Sequence, residues 1–298
     1  MFEQVTDLSG IQELADWRVL VYVLVSLLVL LVAKLMYSVT AGFKLKEQLI
    51  DHDNKAVGIA FAGYMFSVCI VITGVLFSPS SVMLEGEPGA KWLLDLGGTV
   101  LWSLIGCVML ILAQWINDKA IFRSFCNRKE MVQDENMGLG TALAGTYLAT
   151  ALVVRSAMSG EGVGNFWQDL LITLIWFAVT QALLILFSFV YQRVTKFDLH
   201  HEVERDNPAA GIAFGGGILA FTILLSFYIQ RYDGLLGLLI WALVSAVILI
   251  LARALTNRLI LPGKRLDAEI CEDKNWGAAL IEFGISLGVA FIVAGSFN

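Results

Sequence analysis

The chain has 298 residues, of which 58% are hydrophobic and 15% charged, and its formal net charge is -6. A mean hydropathy of +0.76 lies far above that of soluble domains, which excludes a soluble globular protein. The apolar runs are continuous rather than alternating, which excludes a transmembrane β-barrel. The composition therefore predicts an all-α integral membrane protein.

Eight apolar runs follow one another along the chain, and each is close to the ~20 residues that an α-helix needs to cross a bilayer. They cover residues 19–40, 56–78, 96–115, 138–158, 170–192, 208–229, 234–255 and 277–297. We therefore predict eight transmembrane helices. The acidic segment 1–18 lacks the basic start of a signal peptide, so we expect it to stay in the mature protein and face outward.

Basic residues are concentrated on one side of the membrane. Sixteen of the twenty Lys and Arg residues lie at or within the connections after the odd-numbered helices. By the positive-inside rule, these connections are cytoplasmic and both termini lie outside the cytoplasm. The same connections contain many acids, so no nucleic-acid site is expected. Lys34 and Arg253, near the cytoplasmic helix ends, are expected to extend their charges to the membrane surface.

Four segments of the chain align without gaps. They are DNKAVGIAFAGY from Asp53, ENMGLGTALAGT from Glu135, DNPAAGIAFGGG from Asp206 and KNWGAALIEFGI from Lys274. Successive Asn residues in them are 82, 71 and 68 positions apart. This repetition indicates four parallel units, each made of two helices and a cytoplasmic linker. The predicted units 1 to 4 cover 19–80, 91–160, 165–230 and 234–298; whether they close around one axis or form two halves is left open.

The repeated Asn residues allow two interpretations. They are Asn54, Asn136, Asn207 and Asn275. Asn is a preferred N-cap residue, and Pro208 after Asn207 suits the first helical position, so local capping is one interpretation. In the other, four amides and four positive helix ends converge on a substrate or ion path.

Small residues recur four and nine positions after each Asn. The glycines are Gly58, Gly63, Gly140, Gly145, Gly211, Gly216 and Gly284, with Ala279 at the remaining position. Small residues let membrane helices approach closely, so we expect the second helix of each unit to lie in the packed interior. A flexible gate at 215–217 is the alternative. On a helical wheel, the Asn and the positions four, seven and eight beyond it share one face, and the ninth position lies nearly opposite that face.

Glu282 is the acid that the sequence places well inside a spanning helix. It lies seven residues, or ~10 Å, beyond Asn275, where a carboxylate facing lipid would cost several kcal/mol. It must therefore face the bundle interior or water, or be protonated. One interpretation is a site that handles protons or cations; the other is an uncharged Glu hydrogen-bonded to Ser286 or to a backbone carbonyl.

The remaining polar inventory is modest. Acids near the outward helix starts sit beside aromatic residues, which is typical of a membrane interface; an outer ring that concentrates cations is the alternative. These acids are Asp16, Asp95, Asp169 and Asp233. No catalytic, metal-binding or cofactor motif is found, and no enzyme is predicted.

The motif D-N-x-x-x-G-I-A-F-x-G at the start of the second helix resembles domain-of-unknown-function family 350, the YjfL-like, UPF0719-type bacterial inner-membrane proteins. The residues that carry the resemblance are Asn54, Gly58, Ala60, Phe61 and Gly63, and then Asn207, Gly211, Ala213, Phe214 and Gly216. The resemblance implies an internally duplicated form of shorter members, a bacterial inner-membrane location and a loose connection to envelope stress or polyamines. It implies no established activity. Unit 4 departs from the pattern with Ala279, Ile281 and Glu282.

Two functions fit these observations. The first is a channel or transporter for a small cation, either a proton, a metal ion or a polyamine, that uses Glu282 and the Asn residues. The second is a non-transporting scaffold that recruits cytoplasmic envelope-stress partners through its linkers. A homo-oligomer in the bilayer fits both. Convergence of the Asn residues on one polar space would favour transport, whereas local capping and a sealed Glu282 would favour the scaffold.

Overall fold

The computed structural model of the chain describes residues 16–78, 88–123, 126–159, 162–163, 165–260 and 265–297. In chain order its α-helices are α1 (Trp17–Thr40), α2 (Lys55–Leu76), α3 (Pro88–Ala120), α4 (Asn127–Val132), α5 (Met137–Met158), α6 (Phe166–Val194), α7 (Leu199–Glu204), α8 (Pro208–Ile229), α9 (Leu235–Leu255), α10 (Leu266–Cys271) and α11 (Trp276–Gly295). Among these described residues, eight helices are long and apolar enough to cross a membrane. The predicted all-α membrane fold is confirmed. Most of the predicted segment 1–18 lies outside the described residues.

The linkers contain short helices that the sequence did not predict. The helices α4, α7 and α10, and a π-helical turn at Glu47–Asp51, each precede the repeated Asn of their unit. Helices of five or six residues are too short to show a hydrophobic period, which is why the apolar pattern did not reveal them. We call the side of the bundle on which these linkers lie the linker side.

The second helices of the four units form a row in the order α2, α5, α8, α11, each packed against the next. Each first helix after α1 packs against the second helix of its own unit and that of the preceding unit. The units thus form an open row with α2 and α11 at its ends. This differs from both arrangements that the sequence left open, a closed ring and two separate halves.

Small residues set the spacing within the row. The ninth-position glycine of one unit lies against the eighth-position residue of the next: Gly63 against Ala144, Gly145 against Gly215, and Gly216 against Phe283. A Cβ added to Gly145 would lie 2.3 Å from the Gly215 Cα. Such close backbones gain dispersion energy that larger side chains would prevent. The central helices α5 and α8 are accordingly the most buried spans.

Opposite faces of a second helix contact opposite neighbours. The fourth-position glycines Gly140 and Gly211 lie against Ala56 and Gly138, the second-position residues of the preceding units. The second and ninth positions thus face the following unit, and the fourth and eighth positions face the preceding one. This is the angular separation that a helix gives to these positions.

We expect Gly145→Ala to destabilise the protein, because the new methyl group forces α5 and α8 apart. Overpacking of this kind costs about 1–3 kcal/mol. The measurement is the thermal unfolding midpoint of the purified protein in detergent. Gly97→Ala is the matched control, since nothing lies within 4 Å of a Cβ at Gly97. Equal midpoints for the two variants would contradict the packing described for the row.

Candidate functional site

The repeated Asn residues cap the second helix of their units. Asn54 Oδ1 accepts from the Val57 amide at 3.0 Å, and Asn136 Oδ1 accepts from the Leu139 amide at 2.8 Å. Asn207 and Asn275 cap α8 and α11 through two backbone amides each. The residues before the four Asn have left-handed backbones with φ of 51°, 48°, 52° and 46°. None of them is glycine, so each turn carries a conformational cost of about 1–2 kcal/mol.

Each Asn amide also bonds an acid or amide in the linker of its own unit. Nδ2 donates to the side chains of Gln48, Glu130, Glu202 and Glu269 at 2.8–2.9 Å. The backbone carbonyls of these same residues accept the Asn backbone N–H. The linker helix and the second helix are therefore joined by paired hydrogen bonds in every unit. The recurring Gln or Glu five or six positions before Asn was the sequence signal for this contact, and it was missed.

A further bond of the same amide crosses to the next unit. Nδ2 of Asn54 donates to the Met131 carbonyl at 2.8 Å, that of Asn136 to the Val203 carbonyl at 2.7 Å, and that of Asn207 to the Ile270 carbonyl at 2.8 Å. These carbonyls belong to the last turns of the short linker helices, where a helix leaves acceptors unpaired. The four Asn residues therefore lie at separate places along the row.

Burial follows the same order. Asn54, Asn136 and Asn207 are at most 2% exposed, whereas Asn275, in the last of the four described units, is exposed. The Asn275 amide bonds Glu269 in its own unit. Its position at the end of the row leaves it without the carbonyl that its three counterparts contact.

Glu282 lies in a buried cluster of charged and polar side chains. It is 3% exposed, and its Oε1 contacts the Arg253 guanidinium. Arg253 also pairs with Asp267 of α10, with 2.6 Å between Nη2 and Oδ1. The Tyr191 hydroxyl donates to Glu282 Oε1 at 3.5 Å. Glu282 is therefore bound by a cation of its own chain.

The prediction that Arg253 extends to the membrane surface is wrong. Arg253 is 8% exposed and turns inward to Glu282 and Asp267. Pairing offsets the cost of burying either charge alone, which is several kcal/mol. Arg253 and Glu282 lie on different helices, 29 positions apart, so the sequence alone does not indicate that they pair.

A small cavity adjoins this cluster. It measures about 20 Å³ and is lined by residues of α6, α8, α9 and α11, including Tyr191, Arg253, Glu282 and Ser286. This volume accommodates about one water molecule. Glu282 Oε2 is buried without a hydrogen-bond partner, so it is the free acceptor of the cluster. Ser286 lines the same cavity, which places these two predicted site residues together.

On the side of the bundle opposite the linkers, two of the four predicted acids accept hydrogen bonds at the start of a helix. Asp16 caps α1 by accepting from the Arg18 backbone amide at 2.9 Å. Asp169, in the first turn of α6, accepts from the Val163 amide at 2.8 Å. Asp95 lies inside α3, which begins at Pro88, and Asp233 directly precedes the Gly234 cap of α9. In the part of the chain that the structure describes, no group of three His, Cys, Asp or Glu is arranged to hold a metal ion.

Comparison with known proteins finds two matches to one family model, described as Domain of Unknown Function (DUF350), at residues 8–158 and 165–297. The chain is 29% identical over 133 residues to the UPF0719 transmembrane protein YshE of Bacillus subtilis, covering 44% of this chain and 98% of the relative. It is 27% identical over 199 residues to a UPF0719 transmembrane protein of Aquifex aeolicus, covering 65% of this chain and 71% of the relative. No solved structure matches the chain. The predicted resemblance and internal duplication are confirmed.

We expect Asn136→Ala to cost more stability than Asn275→Ala. Both variants lose a helix cap, which contributes about 1 kcal/mol. Asn136→Ala also removes the buried hydrogen bond to the Val203 carbonyl, which contributes about 0.5–1.5 kcal/mol. The measurement is thermal unfolding in detergent, with retention of helical circular dichroism as the control for folding. Equal losses would show that the cross-unit bonds contribute nothing.

Proposed function

This chain belongs to the DUF350 family, a family of unknown function, and we propose that it serves as a membrane scaffold rather than as a transporter. The observation that carries the proposal is the amide-to-carbonyl bond repeated at three successive unit boundaries. These bonds fix the order and spacing of the linkers. A rigid row with an ordered linker surface is suited to holding other proteins at the membrane.

The linker surface is the side on which a soluble partner would bind. The distribution of Lys and Arg supports a cytoplasmic orientation for this side and outward termini, in the inner membrane of a bacterium. The partner class that we propose is a cytoplasmic protein, and the envelope-stress connection implied by the family resemblance indicates where to search first.

Cation handling is the second candidate, favoured by one observation. Glu282 Oε2 is a buried acceptor without a partner, beside a cavity of about 20 Å³. A proton or a water molecule fits this space, whereas a polyamine does not. The Arg253 guanidinium already supplies the positive charge that a bound cation would provide, which favours a structural role for the pair.

Proteoliposomes distinguish the two functions. With protons, potassium and spermidine tested separately, a scaffold gives wild-type flux equal to that of protein-free liposomes. Glu282→Gln then lowers thermal stability, because Arg253 loses one of its two carboxylate partners and retains only Asp267; the loss should stay below the about 3–5 kcal/mol of a buried pair that is broken completely. The triple variant Glu282→Leu, Arg253→Met, Asp267→Asn is the control and recovers much of this loss, since it removes all three charges of the cluster together. Wild-type flux that a folded Glu282→Gln variant lacks would establish the cation function instead.

Orientation is testable with a native thiol. Cys126 is exposed on the linker side, and burial raises the pKa of the Cys271 thiol to about 12, so that Cys271 reacts slowly at neutral pH. We expect a membrane-impermeant maleimide to label Cys126 only after the cells are permeabilised. Cys126→Ser should remove this label, and an added Asp233→Cys should be labelled in intact cells. Labelling of Cys126 in intact cells would exclude a cytoplasmic partner for the linkers.

A further inference from the structure

The two ends of the row present complementary surfaces. Within the row, each unit contacts the following one through its repeated Asn and through the second and ninth positions after that Asn. We call this surface the donor face. The following unit contributes its linker carbonyl and its fourth and eighth positions, which we call the acceptor face. Three such contacts join units 1 to 4. One donor face and one acceptor face are left over.

Among the residues that the structure describes, none covers the donor face of unit 4. Asn275 is exposed, and nothing lies within 4 Å of a Cβ at Gly284, the ninth position, or at Gly288 one turn further on. At Gly277, the second position, the contact is the Asn275 side chain of the same unit. The features by which units 1 to 3 bind their successor are thus present in unit 4, the last of the described units.

The described part of the chain also leaves the acceptor face of unit 1 uncovered. Ala62, the eighth position, is exposed, and a Cβ at Gly58, the fourth position, meets Leu49 of its own unit at 3.8 Å. Leu49 is the residue after Gln48, which aligns it with the three linker residues whose carbonyls accept Asn amides. Phe66, one turn beyond Ala62, is 62% exposed.

We infer that a second copy of this chain binds head to tail, with the donor face of unit 4 on the acceptor face of unit 1. The Asn275 amide would donate to the Leu49 carbonyl of the neighbouring copy, and Gly284 would lie against Ala62, as Gly145 lies against Gly215. A heterologous contact of this kind generates a ring if its rotation closes and an extended row if it does not. The inference does not depend on whether a soluble partner binds the linkers.

The end faces have the same features as the three contacts between units, which favours protein rather than lipid as the group that covers them. The lipid-exposed side chains of the first helices are large, as at Leu24, Leu171 and Leu243. The end faces add the exposed small residues Gly284 and Ala62 to large side chains such as Phe291 and Phe66. Small residues allow another helix backbone to approach closely, an advantage that disordered acyl chains cannot use to the same degree.

Disulfide trapping tests this contact. In a background with the four native cysteines replaced, Gly284→Cys on one tagged copy and Ala62→Cys on a second are co-expressed, and the membranes are mildly oxidised. Within the chain, a Cβ at Gly63 would lie 2.6 Å from the Ala144 Cβ, so equivalent thiols on two copies would be close enough to bond after a small adjustment. We expect a disulfide-linked dimer that contains both tags.

Two controls make the result specific. Val247→Cys, on an exposed part of α9, replaces Gly284→Cys and should give less than a tenth of the dimer. Each cysteine variant expressed alone should stay monomeric on denaturing gels. Dimers from Gly284→Cys alone would indicate a two-fold contact and overturn the head-to-tail inference, and so would the absence of any mixed dimer.

A bulky substitution gives an independent measurement. A Cβ at Gly284 meets no described atom within 4 Å outside its own helix backbone, so we expect Gly284→Leu to leave thermal unfolding unchanged and to shift the protein from oligomer to monomer in nanodiscs by mass photometry. Gly97→Leu, which is equally free of neighbours, should leave the oligomer intact. Wild-type protein that is monomeric in nanodiscs, or a Gly284→Leu variant that remains oligomeric, would overturn the inference. Neither result bears on the flux measurements that test the scaffold.

Discussion

The side-chain amide of the repeated Asn is the interaction on which the rest of the structure depends. Its oxygen caps the second helix, and its nitrogen bonds both the linker of its own unit and, in units 1 to 3, the linker of the next. Helix ends near a membrane leave backbone groups that must find partners. One Asn side chain pairs with backbone amides at the start of the second helix and with carbonyls at the ends of the linker helices. Helix capping and the contact between units therefore depend on the same residue.

This arrangement explains why the glycines and the Asn occur together. The cross-unit bond fixes the linker of one unit beside the helix start of the preceding one, which sets how closely the two second helices approach. At that distance a Cβ on Gly145 would collide with the Gly215 backbone. Polar contacts at one end of the second helices and small residues along them therefore favour the same close spacing of neighbouring helices.

The sequence was sufficient for the eight spanning helices but insufficient for the short linker helices and for the arrangement of the units. Apolar runs of membrane length predicted the eight spans, and the recurrence of Asn and Gly predicted the units. The open row depends on which face of α5 contacts α2 and which contacts α8. A motif that recurs in every unit does not specify whether the fourth unit contacts the first and closes a ring. The pairing of Arg253 with Glu282 could not be predicted for a related reason. The two residues lie on different helices, and the sequence of one helix does not indicate which way a side chain of the other points.

Unit 4 shows how an end unit can differ and still retain its contact surface. Its departures from the common pattern include Glu282 at the seventh position, which contacts Arg253, and its eighth position holds the bulky Phe283, which lies against Gly216 of unit 3. Both changes are thus accommodated by groups inside the chain. The donor face keeps Asn275, Gly277 and Gly284. Terminal units of repeat proteins commonly carry polar outer surfaces that stop further stacking. The outer surface of unit 4 has instead the small residues and the amide that allow stacking to continue, which is the physical basis for regarding the row as a segment of a longer assembly.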